Sequence, residues 1–368
     1  MADAKVMKDV GNRPPRRKRE EVPFTWYVAS GMPTYSALSG VRFDRIFQES
    51  DAIIEAYSVG HPKAVEIFGP DVRYGGPGWA GISYGHVNCL GSQLTFPKDS
   101  EVAHKPIYSS LAEGIEALQQ NVDWASAGMM PFYLDLWQKL KDAFPDKDIS
   151  FGGFGLEGPI TTAWELRGHD FFTDPYDDPE RCKEFLHLVT ESIVDYAKFI
   201  RSLNGQPAFA DSGSLYDDVA SMFSPHTWPE FLLPFHEQFF KAQTSGRRRA
   251  HIENLTTAHL RFLDDLGLDT FDPGVTPGLK ATDLRDGCHA SFLWRLNGMQ
   301  VRDFSCEQIR RYVFDGVADG ASGVFCSLSR TMIIPEAVNR VHTFMDTAKE
   351  VAQHLSDGCP REQLRELN

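Results

Sequence analysis

The sequence has no run of about eighteen apolar residues, so it offers no segment long enough to cross a bilayer as a helix. Its N-terminus lacks the apolar stretch of a secretory signal, which makes the cytoplasm the expected location. Basic residues are in deficit, 37 Lys and Arg against 51 Asp and Glu. The resulting formal net charge of −14 excludes a general nucleic-acid binder, which needs a basic surface. The six cysteines (Cys89, Cys182, Cys288, Cys306, Cys326, Cys359) are scattered and form no C-x-x-C, so they read as reduced thiols and not as a disulfide framework. Cys288 and Cys306 are expected to be buried small side chains. No Pro-, Ser- or Gly-rich linker follows residue 22, there is no internal repeat, and no G-x-G-x-x-G follows the first expected strand.

What is present is enough apolar material for a large core: 42% hydrophobic residues with 24% charged. Residues 1–22, containing NRPPRRKREE, read as a disordered or loosely attached arm, and 23–368 as one domain. Residues 51–68 carry helix-spaced apolar positions and run into the strand-like VRYGGPG, and DISFGGF (148–154) is a second short run entering glycines. PITTAWELRG (159–168) has Pro at a helix start, and 177–205 is a long amphipathic helix ending at Gly. Short strands then alternate with helices: PAFADS, RRAHIEN, TFDPG, ASFLWRLNG and SGVFCSL are the strands, and a helix follows each. Seven or eight such units predict an α/β protein, a single (β/α)8 TIM barrel with additional N-terminal helices outside it.

Catalytic groups of such barrels lie at the C-terminal ends of strands and on the loops that follow. The strand ends here offer Glu157, then Asp211, Tyr216, Asp217 and Asp218, then His251 and Glu253, then Asp272, then Trp294, Arg295 and Asn297, and last Cys326. His251 and Glu253 stand at i and i+2, which in a strand places them on one face, as half of a metal site or as an acid/base pair. Clustered carboxylates repel unless a metal, the arginines Arg295 and Arg302 or a cationic substrate balances them. Asp217 and Asp218 have a second reading, as caps of the following helical segment. Trp79, Tyr84, Tyr216 and Trp294 are candidate walls of an apolar pocket.

Four stretches in order resemble the uroporphyrinogen decarboxylase superfamily, which also contains the zinc-dependent methylcobamide methyltransferases. They are GLEGPITTAWELRGHDFFTDPYDDP, SGSLYDDVASMFSPHTWPEFLLP, AHIENLTTAHLRFLDDLGLDTFDP and SGVFCSLSRTMIIPEAVNRVHTFMDTAKE, spanning roughly residues 110–355. The resemblance implies the same (β/α)8 barrel. True uroporphyrinogen decarboxylases carry an N-terminal Arg-rich segment that holds substrate carboxylates, whereas no arginine stands between Glu21 and Arg42 here. That porphyrinogen is therefore not the expected substrate. The methyltransferase branch binds zinc through the His and Cys of an H-x-C and a later Cys. His251 matches its His, Glu253 stands in the place of the first Cys, and Cys326 lies near the second. Carboxylate in place of thiolate hardens such a site and suits Zn2+ acting as a Lewis acid on an ether or hydroxyl oxygen.

The expectation is thus a metal-dependent methyltransferase moving a methyl group between a small methylated substrate and a corrinoid carrier on a partner protein. His251, Glu253 and Cys326 would hold the metal, Asp218, Asp211 and Glu157 would assist catalysis, and Tyr216, Asp217, Asp272, Trp294 and Arg295 would hold substrate. A homodimer through the barrel mouth follows from the resemblance alone. The first alternative is a metal-free decarboxylase in which His251 donates a proton and Asp211 or Asp218 stabilises a cationic intermediate. The second is a non-catalytic barrel that binds a corrinoid or tetrapyrrole.

Overall fold

The structure is a computed structural model, and it describes residues 15–367. Among the described residues seven strands are formed: β1 (Thr25–Ser30), β2 (Val72–Tyr74), β3 (Ala210–Tyr216), β4 (Thr244–His251), β5 (Thr270–Asp272), β6 (Ser291–Leu296) and β7 (Gly323–Ser327). They pair in parallel in the order β2-β1-β7-β6-β5-β4-β3, so the first and last strands are neighbours and the sheet curls into most of a barrel. An eighth strand was expected at 148–154, but among the described residues this stretch contributes only an isolated bridge, Phe154 to Ile82. The glycines on either side of Phe154 leave it too short a run to make a ladder. The early helices, including Ser50–Phe68, follow β1 and form the connection to β2; they do not precede the barrel.

Parity along each strand divides the molecule. One set of alternate residues faces the helical layer: Val28, Val324 and Cys326 pack against Val313, Val341 and Phe344 of the helices Cys306–Ala318 and Pro335–Ser356. On the other flank Leu215, Ala250, Phe271 and Phe292 pack against Trp228, Phe239 and Leu260. The helices start where their sequences dictate. Asp178 accepts from the Arg181 N–H at the start of Pro179–Leu203, and Ser305 accepts from the Gln308 N–H at the start of Cys306–Ala318. The other set of alternate residues faces the barrel axis and is polar over much of its length.

Residues 1–14 of the expected N-terminal arm lie outside the described residues. In the remainder, Arg19 donates to the carbonyls of Cys288 (2.5 Å) and Ala290 (2.9 Å), and Arg16 pairs with Asp264 at 2.6 Å. No helix among the described residues is long and apolar enough to cross a membrane.

Candidate active site at the mouth of the barrel

β4 ends at His251, whose ring points into the barrel mouth. Its neighbour across the ladder, Asp272, takes Nδ1–H on Oδ2 at 3.0 Å, while the Gly274 N–H holds Oδ1 at 2.9 Å. A carboxylate fixed at both oxygens sets the tautomer and the orientation of the imidazole. Nε2 is left facing the hollow, 3.7 Å from Asp218 Oδ1 and 3.7 Å from Glu253 Oε1. Burial works against charge on His251. The hydrogen bond and charge of Asp272 and the charge of Asp218 outweigh it, so the imidazole is held above its ordinary value.

Glu253 reaches the site by a route that alternation does not describe. The strand stops at His251, and Glu253 lies in a turn whose next residue, Asn254, has φ 60°. Its backbone N–H donates to Asp218 Oδ1 at 2.8 Å, and its Oε1 accepts from the Val275 N–H at 2.9 Å and faces Arg295 Nη1 at 3.4 Å. A side chain at Gly274 (φ +56°) would strike this carboxylate, since a Cβ there would lie 2.3 Å from Oε1. Glu157, from the loop before the helix Pro159–Arg167, completes the group. Burial, and then the charges of Asp218 and Asp217, push its carboxyl up to about 7 against the opposing effects of a Ser83 hydrogen bond and of His251. Asp218 is also raised, first by desolvation.

Below this ring lies a cavity of about 180 Å³ bounded by Tyr27, Ser214, Tyr216, Arg249, His251 and Asp272 among others. Tyr216 is half-exposed at its rim, 6.2 Å ring to ring from His251. Tyr27 stacks on Phe325 at 5.0 Å; Arg73 lies over the Tyr27 ring at 4.5 Å and Arg295 over the Phe325 ring at 5.0 Å.

The structure thus gathers Glu157, Tyr216, Asp218, His251, Glu253, Asp272 and Arg295. Other expected site residues go elsewhere. Asp217 is completely buried, accepting from the Ile160 and Thr161 N–H groups (3.2 and 2.6 Å) and from His236 Nε2 (2.7 Å). It caps the helix Pro159–Arg167 and does not hold substrate; a Cβ on Gly158 would meet it at 2.7 Å, so the contact needs a glycine there. Asp211 lies at a register irregularity at the opposite, N-terminal end of β3. Five residues of strand, about 16 Å, separate it from Tyr216. Trp294 has the outward parity of β6 and stacks on Tyr312 in the helical layer, with ring centroids 6.0 Å apart. Cys326 is fully buried on the outward face of β7, and burial pushes its thiol up to about 12. Arg302 is bound to Asp303 on the surface, Asn297 caps the helix Gly298–Asp303, and Trp79 packs on Tyr133 and Phe151 in a separate core cluster. Tyr84 packs on His104 at 4.5 Å.

The zinc set expected from the sequence does not assemble, because Cys326 faces away from His251 and Glu253. The two oxygens near Nε2 are already engaged by backbone N–H groups and, for Glu253, by Arg295. Among the described residues no group of three or more His, Cys, Asp or Glu side chains is arranged to hold a metal ion. The residues present do not fit that metal. Sequence reading passed over Arg73, Arg249 and Tyr27. Arg249 carried a usable signal, since it stands two residues before His251 and shares its parity.

The family description "Uroporphyrinogen decarboxylase (URO-D)" matches residues 85–351. No curated protein matches the sequence. Among solved structures, a methyltransferase from Methanosarcina mazei superposes with a TM-score of 0.64 at 16% identity, covering 94% of this chain and 97% of its own. At that identity the likeness speaks for the fold. A B12-independent methionine synthase from Shewanella sp. W3-18-1, in complex with selenomethionine, reaches a TM-score of 0.36 at 11% identity over 72% of this chain and 76% of its own, too loose to carry an argument.

Proposed function

This chain belongs to the uroporphyrinogen decarboxylase family, and we propose that it is a metal-independent lyase of that family, releasing CO2 from a small organic acid other than the porphyrinogen. One observation carries this reading: an imidazole fixed through Nδ1 by Asp272, with Nε2 turned toward two carboxylates and a third carboxyl, Glu157, poised near neutrality. Such a group is built to deliver a proton at a set point.

In the reaction, Asp218 and Glu253, each 3.7 Å from His251 Nε2, favour the imidazolium that carries the proton to be delivered. The bond to the departing carboxylate then breaks, CO2 leaves, and its electron pair stays on the substrate carbon. The proton on His251 Nε2 passes to that carbon. His251 is thereby left neutral and is recharged from Glu157 or solvent. Arg295 tempers the negative charge of Glu253, and Tyr216 screens the rim.

The competing reading is metal-dependent methyl transfer between a small methylated substrate and a corrinoid protein. Its support is that His251 stands in the place of the zinc-binding histidine of the resembling methyltransferases, with a carboxylate behind Nδ1 as metal-bound histidines have.

The two are separated by assaying chelator-treated protein in D2O with a panel of small mono- and dicarboxylic acids, some carrying methoxy groups. Release of CO2 with one solvent deuteron entering the product, without metal and lost in His251→Gln, is the expected result. Turnover that requires added Zn2+ and leaves carbon-bound hydrogens untouched would overturn it.

A further inference from the structure

Ordinary barrels fill their interior with layers of branched aliphatic side chains. One interior layer here is different. Ladder register places Ser214, Arg249, Thr270 and Ser291 side by side across β3, β4, β5 and β6. Three hydroxyls flank one guanidinium, and Thr270 and Ser291 are 3.2 Å apart, oxygen to oxygen. Small side chains in this row keep the interior open, so Ser214 and Arg249 remain exposed although their strands lie within the sheet's curl.

Arg249 also differs from the arginines beside it. Arg247 is bound to Asp269 (2.7 Å), and Arg248 to Glu237 and to the Leu266 carbonyl (2.9 Å). Arg249 has no hydrogen-bond or ion-pair partner among the described residues. It borders both the 180 Å³ cavity under His251 and a second one of about 220 Å³ toward the N-terminal end of the strands, which Arg247 and Arg17 also line. A guanidinium without a partner among the described residues, lining a hollow beside hydroxyls, suits a planar anion, because its fork matches both oxygens of a carboxylate.

We propose that Arg249, with the hydroxyls of Ser214 and Thr270, binds a spectator carboxylate of the substrate, and hence that the substrate is a dicarboxylic acid. This inference rests on the lyase reading for the identity of the reacting group, but the anion site itself stands on its own residues. The two carboxylates have separate roles. His251 lies two residues further along β4, about 7 Å, so the anchored end is held one row below the carbon that receives the proton. The reacting carboxylate is kept off the guanidinium, which would otherwise stabilise it against loss of CO2. A carboxylate is favoured over a phosphate because the row offers one planar fork and hydroxyls, with no array of backbone N–H groups of the kind that cradles phosphate.

The test titrates the full-length protein with succinate, dimethyl succinate and inorganic phosphate, read by calorimetry and by the Nε NMR resonance of Arg249 in 15N-arginine-labelled protein. Succinate is expected to bind and move that resonance. Arg249→Met should weaken it about ten- to a hundredfold, the loss of a charge-assisted pair, and Arg249→Lys should retain part of the affinity. Dimethyl succinate should not compete. Circular dichroism of both variants checks that the fold is kept, and the Lys variant carries the test if the Met variant does not fold. Equal succinate affinity in wild type and the variants, equally tight binding of the neutral ester, or phosphate bound more tightly than succinate would each overturn the proposal. The wild-type protein separates the two claims. Succinate binding that depends on Arg249, with no CO2 released by the wild-type protein from any acid of the panel, leaves the carboxylate site standing and removes the lyase.

Discussion

Asp217 and Asp218 are consecutive carboxylates after β3, yet they end in regions of opposite character. Asp217 turns into the packed layer, where two helix N–H groups and His236 surround it and nothing of it meets solvent. Asp218 turns into the barrel mouth, where it meets His251 and the Glu253 N–H and half its side chain stays open. The same division runs through the whole sheet. Trp294 and Cys326 face the helices, while Arg295 and Phe325, each one residue away, face the hollow. The outward Asp217 and Cys326 are buried in packing. The inward Asp218 and Asp272 instead converge with His251 on one hollow, where chemistry can take place.

The sharpest way to break this contrast is stability. Asp217→Ala strips three donors of their partner inside the core and should cost roughly 3–5 kcal/mol, whereas Asp218→Ala should stay within about 1 kcal/mol, as read from urea midpoints at unchanged slope. Equal losses would abolish the distinction. Activity should show the reverse order. His251→Gln should lower turnover by about 10²- to 10⁴-fold with little change in midpoint, and Asp272→Asn should follow it through loss of the tautomer. Asp217→Asn, if it folds, should keep most of the rate.

Glu157 sharpens the comparison through pH. Its folded-state value is raised from the ordinary 4.5 to about 7, so the folded protein binds more protons than the unfolded chain between those values. The stability tied to this group is complete below about 4.5 and is lost as pH climbs through about 7. Glu157→Gln should therefore flatten the stability profile between pH 5 and 8 and gain up to about 3 kcal/mol at the alkaline end. An unchanged profile would remove Glu157 from the poised group. At the small end, Cys326→Ala should cost about 1 kcal/mol, and should alter neither turnover nor zinc content measured by elemental analysis. Asp211→Asn should change stability by less than about 0.5 kcal/mol.

Much of the scaffold was readable because it depends on local pattern. The helix Pro179–Leu203 matches an amphipathic run that begins after Asp178 and ends near Gly205, and the strands β4 to β7 fall where short apolar runs precede helices. The strand expected at 148–154 failed because pairing needs a partner at the right register, and only Ile82 meets it. In the site, His251 and Glu253 do meet, but through a turn at Asn254 and not through strand alternation. Cys326 was misplaced by a single step of parity, which a strand-end reading cannot resolve when the last residue of the strand is uncertain by one.

By itself the sequence determined the order of strands and helices from β3 onward, the family, and the presence of His251 and several acids at strand ends, because periodicity and motif spacing are properties of neighbours along the chain. Only the tertiary structure decided which of those acids is walled in and which is free. It alone showed that Asp272 aims the imidazole, that Cys326 looks outward, and that Arg249 stands without a partner among the described residues. Those outcomes depend on which strands lie side by side and in what register, and that is fixed by contacts between residues tens to hundreds of positions apart.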